Sequence, residues 1–355
     1  MISPERHSRL RPWAAAAVGV AVSGILLAGP VAAGGQPSGP YRVAIIVGPA
    51  GEWATPLYIA EAERVARIAT EAGASVARAY SPQATPERVI QAVADAKIVV
   101  YFGHGNGFPS PYSAVILPDR VNGWGLQGPA ALGTHADNWA DGTLRYYGEE
   151  WLVANLRPAP GFVMIYSNAC YAAGAPELYL PPATEQEARQ RVENYARPMF
   201  SVGAAGYFAS DFGGSAERLV GDMLVSPQTS FGALFSGDAQ FDARAVNVAA
   251  HPQFAQQEVW LHRSPDHNGR LDYWYAFAGD SAASLAGLTA WAWPLASMTW
   301  PSLGDRFQPR LVDPTGGSGA EDPHLLLCED SSPSGSGACR PPASTSPLWL
   351  MARGR

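Results

Sequence analysis

The sequence predicts an α/β fold built on a mostly parallel sheet flanked by helices. Three observations carry that expectation. Short apolar runs at 42–47, 98–102 and 162–166 have the length and the β-branched and aromatic content of strands buried on both faces. Thr-Pro dipeptides at 55–56 and 85–86 open amphipathic stretches, as an N-cap followed by proline at the first helical position does. The resulting order over 42–102 is β-α-β-α-β, and consecutive strands joined through helices pair in parallel.

Each element follows from its own residues. Arg42 to Val47 reads as the first strand, and the helix from Thr55 runs to about Ala72 and stops at Gly73. Ser75 to Tyr80 reads as the second strand, Arg88 to Ala96 as the helix after Thr85-Pro86-Glu87, and Ile98 to Phe102 as the third strand. Residues 108–150 lose all period and are dominated by Gly, Pro, Asn, Trp and Tyr, which marks a long functional insertion with no convincing element of its own. Phe162 to Tyr166 is the fourth strand. Thr184 to Tyr195 is a polar helix, with Ala188, Val192 and Tyr195 at helical spacing. Phe200 to Ala209 is a fifth strand weakened by glycines, and Ser215 to Leu224 a further helix; beyond Pro227 only mixed aromatic segments are readable.

The chain has 355 residues, 47% of them hydrophobic and 15% charged, enough to bury a sizeable core and too apolar for general disorder. Net charge is −7, with a single lysine, Lys97, so there is no basic footprint for nucleic acid. Residues 1–33 have the three parts of a secretory signal: Arg6, Arg9 and Arg11, then an apolar run from Trp13 to Leu27, then small residues at Val31-Ala32-Ala33. The alternative is an uncleaved anchor, but the run is short and Ala-rich for a bilayer of roughly 30 Å. Cleavage would leave 21 basic and 30 acidic residues, a net of −9, in an exported protein without stable membrane insertion. The expected organisation is a signal at 1–33, an α/β domain at 41–311 and a loose Pro/Gly/Ser-rich tail at 312–355. Cys328 and Cys339 flank a short loop in that tail and suit a disulfide in an oxidising compartment, which leaves Cys170 alone.

Ligands of parallel sheets sit at the carboxyl ends of strands, and two strands here end in reactive residues. The third ends in Gly103-His104-Gly105-Asn106-Gly107 and the fourth in Ser167-Asn168-Ala169-Cys170-Tyr171. If the strands are parallel neighbours, His104 and Cys170 emerge at one edge, and a thiol near an imidazole is the minimum equipment for nucleophilic acyl transfer. The glycines beside His104 let a carbonyl approach the backbone, whose N–H groups could steady an oxyanion. Each residue alone also suits a structural role: cysteine is among the most buried residue types, and a His between glycines can cap a turn.

An apolar strand ending in His-Gly followed by one ending in Ala-Cys resembles the caspase-like cysteine peptidases, a group that includes caspases, legumain, gingipains, clostripain and separase. The segment with Gly-His-Gly-Asn-Gly also resembles uncharacterised secreted bacterial proteins. The resemblance covers about residues 42–225 in strand order. It implies His104 as the catalytic histidine, Cys170 as the nucleophile, the backbone N–H groups of Gly105 and Cys170 as the oxyanion hole, a peptide or protein substrate, and no metal or organic cofactor. The His104–Cys170 separation of 66 residues exceeds the family's usual spacing, and the excess falls in the 108–150 insertion. Asp211, after the fifth strand, and Asp137, in the insertion, are candidates for selecting a basic side chain. A catalytically inactive secreted binding module on the same fold is the competing expectation.

Other motifs carry less. Gly103 to Gly107 has the wrong spacing for a dinucleotide fingerprint, and there is no P-loop, Gly-x-Ser-x-Gly or His-Glu-x-x-His. Asp266 to Asp272 alternates oxygen donors as a calcium loop does, yet its glycine is out of place and no Glu closes it, so a polar turn is expected. His251, His262 and His267 lack metal-ligand spacing.

Overall fold

Alternating apolar side chains send the strands' two faces into two separate cores, and that division organises the molecule. The computed structural model describes residues 41–128, 144–238, 242–266 and 269–289. The expected signal segment, the 312–355 tail, Cys328, Cys339 and Asp137 all lie outside those residues. Strands β1 (Arg42–Val47), β2 (Ser75–Tyr80), β3 (Ile98–Phe102), β6 (Phe162–Ser167) and β7 (Ala204–Ser210) form a parallel set. β10 (Leu271–Gly279), β9 (Glu258–Pro265) and β8 (Val246–Ala250) extend it in antiparallel fashion. The eight strands run in the order β2-β1-β3-β6-β7-β10-β9-β8.

On one face Val43, Ile45 and Val47 of β1, Val100 and Phe102 of β3, Ile165 and Phe208 meet three helices. These are α1 (Ala54–Glu71), α5 (Ser215–Val225) and α6 (Phe231–Ser236). On the other face Ala44, Ile46, Tyr101, Met164, Tyr166 and Tyr207 meet α2 (Pro86–Val93), α3 (Glu149–Asn155) and α4 (Glu185–Ser201). The central strands are buried on both sides, which is why they read as continuous apolar runs. The mostly parallel sheet flanked by helices is therefore as expected. Among the described residues no helix is long and apolar enough to cross a membrane.

Helix starts agree with the sequence in three of four cases, and α5 begins at Ser215 as expected. Thr85 caps α2 by accepting from Arg88 N at 3.4 Å. Thr184 and Glu187 form a reciprocal capping box on α4. At α1 the expected cap fails: the helix begins at Ala54, and the Thr55 hydroxyl accepts from Ala50 N (2.8 Å) behind the helix.

Three further expectations are corrected. The fifth strand does not begin at Phe200, because the helical spacing of Ala188, Val192, Tyr195 and Ala196 continues past Pro198 to Met199 and Phe200, and α4 carries both into the core. The insertion is not without elements: β4 (Trp124–Gln127) and β5 (Leu144–Tyr147) pair antiparallel within it, and α3 begins at its end. The strands are only four residues each, and Trp124 and Leu126 bury without the alternation that would have flagged them. The unreadable stretch beyond Pro227 is α6 followed by the antiparallel β8–β10. Of the turn expected over Asp266 to Asp272, His267 and Asn268 lie outside the described residues, Asp266 Oδ1 accepts from Arg270 N at 2.8 Å, and Leu271 and Asp272 already belong to β10.

Candidate active site

Register decides what meets at the sheet edge. Phe102 of β3 pairs with Ser167 of β6, and Ser167 with Ser210 of β7. The three chains leave the sheet side by side, in parallel, and the residues just past them are His104, Cys170 and Asp211.

The segment after β3 is held from beneath by phenols. Tyr101 Oη donates to His104 O (2.9 Å) and accepts from Gly125 N of β4 (2.9 Å). Its ring stacks on Trp124 at 5.3 Å and 7°. The Asn106 N–H is shared between Tyr146 Oη (2.9 Å) and Tyr195 Oη (2.8 Å), and Tyr146 also takes the Gly123 N–H (2.9 Å). Buried backbone groups need such partners. Here β3, the β4–β5 hairpin and α4 each contribute a tyrosine that fixes the His104–Asn106 backbone.

The segment after β6 is a tight turn. Asn168 (φ 56°) and Tyr171 (φ 69°) adopt left-handed backbone, and Asn168 N is bonded to Ser210 O (2.9 Å), Ala172 N to Ala169 O (3.1 Å) and Tyr171 N to Ala175 O (2.8 Å). Cys170 sits on this turn, half-buried. Buried Arg191 of α4 holds the turn from outside, donating to Gly174 O (3.0 Å) and Pro109 O (2.8 Å) with its guanidinium 4.9 Å from the Tyr171 ring centre. The Tyr171 hydroxyl in turn donates to Glu177.

The two segments touch through glycines. A Cβ at Gly105 would fall 1.9 Å from Cys170 O and 2.8 Å from Cys170 N, and one at Gly107 2.4 Å from Tyr171 Cβ. Only glycine permits that approach, and it places the residue after His104 directly on the backbone of Cys170. Among the described residues neither the Gly105 nor the Cys170 amide donates to a neighbouring residue. What the structure brings onto the Cys170 backbone is Gly105, the residue after His104.

Beside Cys170 opens a cavity of about 470 Å³, lined on its polar side by Cys170, Asn168, Tyr58, Asp211 and Asp266 and on its apolar side by Leu178, Phe212 and Trp274 among others. Of the candidate catalytic and specificity residues Cys170 and Asp211 line it and His104 does not, while Asp266 of the expected polar turn lines it too. Asp211 follows β7, its N–H bonded to Trp274 O (2.9 Å), and its carboxylate has no ion pair or hydrogen bond among the described residues. Tyr58, Trp274, Glu177 and the three phenols were missed. Tyr58 and Trp274 reach the cavity from α1 and β10, and no motif in the sequence links such distant segments. The aromatic richness of the insertion was the one signal for Tyr146.

The electrostatics are acidic. Burial, then the Asp211 and Glu177 carboxylates, push the Cys170 thiol well up, while its own backbone N–H works the other way. Burial and the neighbouring Asp272 raise Asp211 from its ordinary 3.8 to about 7. Such a carboxyl holds its proton longer in the folded than in the unfolded chain. Its contribution to stability therefore falls as pH rises from about 4 through about 7 and is level above. Asp211→Asn is expected to be more stable than wild type at pH 8 and to lose that advantage at pH 4. Urea unfolding at the two pH values checks this, and an equal difference at both would contradict the placement of Asp211.

No protein-family model matches the chain, and no curated protein matches it by sequence. Among solved structures it is similar to the Arg-specific cysteine proteinase gingipain R, at 14% identity and a TM-score of 0.29 over 69% of this chain and 61% of that one. It is similar also to a complex of the pro- and mature domains of RgpB from Porphyromonas gingivalis, at 15% identity and a TM-score of 0.30 over 69% and 63%. This chain spans less than two thirds of the length of either. Likeness at that level adds nothing to what the sheet and its loops carry by themselves.

Proposed function

We propose that the protein is an exported cysteine endopeptidase of caspase-like fold in which Cys170 is the nucleophile and His104 the general acid and base. The observation that carries this reading is the packing of Gly105 on the backbone of Cys170, which lines the same cavity as Asp211. In the reaction the Cys170 thiol gives its proton to His104 and its sulfur attacks the peptide carbonyl. The amides of Gly105 and Cys170 receive the oxyanion, His104 returns the proton to the departing amine, and water then hydrolyses the thioester. The residue before the scissile bond enters the cavity, where the unpaired Asp211 carboxylate favours a lysine or arginine and Trp274 and Leu178 support its stem. The resemblance in sequence and residues 1–33 as an export signal belong to the same reading.

A specific observation favours a second one. A nucleophilic cysteine needs thiolate near neutral pH, and burial beside two carboxylates opposes it. An inactive secreted binding module on this fold is the alternative.

Hydrolysis of a peptide library with lysine or arginine at the position before cleavage separates them. Cys170→Ala is expected to fall to background and His104→Ala to lose about 10²–10⁴-fold. Asp211→Asn is expected to lose selectivity for basic residues. Turnover that survives in Cys170→Ala would end the peptidase reading.

A further inference from the structure

The Asp211 carboxylate and the Cys170 sulfur share one cavity, and among the described residues that line it there is no cation. Cys170 follows β6 and Asp211 follows the adjacent β7. The nearby positive charge is committed elsewhere. Arg270 is spent on Asp272 (2.7 Å), on the Leu178 carbonyl and on the face of Trp274, at 5.5 Å from its centre. Among the described residues the other titratable groups around the pair are Tyr58 and Glu61 of α1, Glu177 after the Cys170 turn, Asp266 and Asp272 at the β9–β10 end, and His104 after β3, which does not line the cavity. None of those lining the cavity is cationic. The cavity walls are the rings of Tyr58, Phe212 and Trp274 and the chain of Leu178, surfaces on which a planar or alkyl cation stacks.

We propose that the cavity is a cation-operated switch: a guanidinium or alkylammonium group seated against Asp211 converts Cys170 from a latent thiol into a reactive one. The physical cause is the removal of an uncompensated negative charge from beside the sulfur. Without a counter-charge Asp211 opposes a second negative charge at Cys170, ahead of Glu177. A bound cation cancels it. Coupling between sites is reciprocal, so a thiolate at Cys170 tightens the cation to the same degree. The switch rests on the reading of Cys170 as a nucleophile, and it reconciles that reading with a thiol that burial and two carboxylates push up. A substrate with a basic side chain would then arm the nucleophile as it binds, while chains lacking one meet an inert cysteine.

The test needs no substrate. The full chain is treated with iodoacetamide, whose iodide is displaced by the thiolate as the S–C bond forms. The rate at Cys170 is read by peptide mass at several pH values, with Cys170→Ala setting the background from the other cysteines. Methylguanidinium chloride is compared with equal sodium chloride and with methylurea, a neutral molecule of the same shape. A downward shift of one unit in thiol pKa gives tenfold more thiolate, but a less basic thiolate is a poorer nucleophile, so the net gain is about threefold per unit. The expected result is a saturable acceleration of about three- to tenfold by methylguanidinium alone. Asp211→Asn is expected to react faster than wild type without any cation and to ignore methylguanidinium. Unchanged or slowed alkylation in wild type, or an Asp211→Asn protein that still responds, overturns the switch. If the cation accelerates alkylation while no peptide is ever cleaved, the switch stands and the peptidase reading falls; cleavage without acceleration has the opposite meaning.

Discussion

Gly105→Ala is expected to separate the two loops that make the site and to destabilise the fold. The added methyl would sit 1.9 Å from Cys170 O, 2.8 Å from Cys170 N and 2.9 Å from Ala169 C. All three are backbone atoms, so no rotamer change relieves the clash. Overpacking of this kind costs about 1–3 kcal/mol and occasionally more, and with rigid partners on both sides the upper end applies. For a domain of this size about 3 kcal/mol lowers Tm by roughly 6–12 °C. Gly213→Ala is the control, because nothing lies within 4 Å of its added methyl; it should change Tm by no more than about a degree. A Gly105→Ala protein with wild-type Tm and wild-type Cys170 alkylation would show that the loops after β3 and β6 do not approach as described.

Asp272→Ala is expected to have the other large effect. Asp272 is fully buried and accepts from Ala183 N (3.1 Å), Tyr273 N (3.0 Å) and Arg270 Nη2 (2.7 Å). Removing one member of a buried pair leaves its partner uncompensated, at about 3–5 kcal/mol. Arg270 keeps some exposure through the edge of its side chain, so the lower end of that range is the expectation, read as a drop in the urea midpoint. The same substitution removes a charge that raises Asp211. The pH at which Asp211 titrates should therefore move down from about 7, visible as a shift in the pH dependence of stability. A variant that unfolds like wild type would mean the pair is solvated.

Much of the sheet was legible because its central strands are buried on both faces. Continuous runs such as Ile98 to Phe102 and Phe162 to Tyr166 stand out from any neighbouring pattern. Boundaries failed where local signals competed with packing. Thr55 looks like a cap but spends its hydroxyl on Ala50, and Phe200 looks like strand but completes a helical stripe. The short pair β4–β5 was invisible because four-residue strands offer no period to detect.

The sequence by itself determined that His104 and Cys170 follow apolar strands, that glycines flank His104, and that an acid follows the strand after Cys170. Those are local facts, set by chain order and burial. Only the tertiary structure decided that β3, β6 and β7 are adjacent and parallel, so that three separate strand ends open on one edge. It alone decided that Gly105 rests on the Cys170 backbone, that Asp211 rather than His104 shares the cavity with the thiol, and that phenols from β3, β5 and α4 converge on one loop. Register across a sheet and the crossing of distant segments depend on contacts far apart in the chain, and the residues that make them carry no mark of their partners.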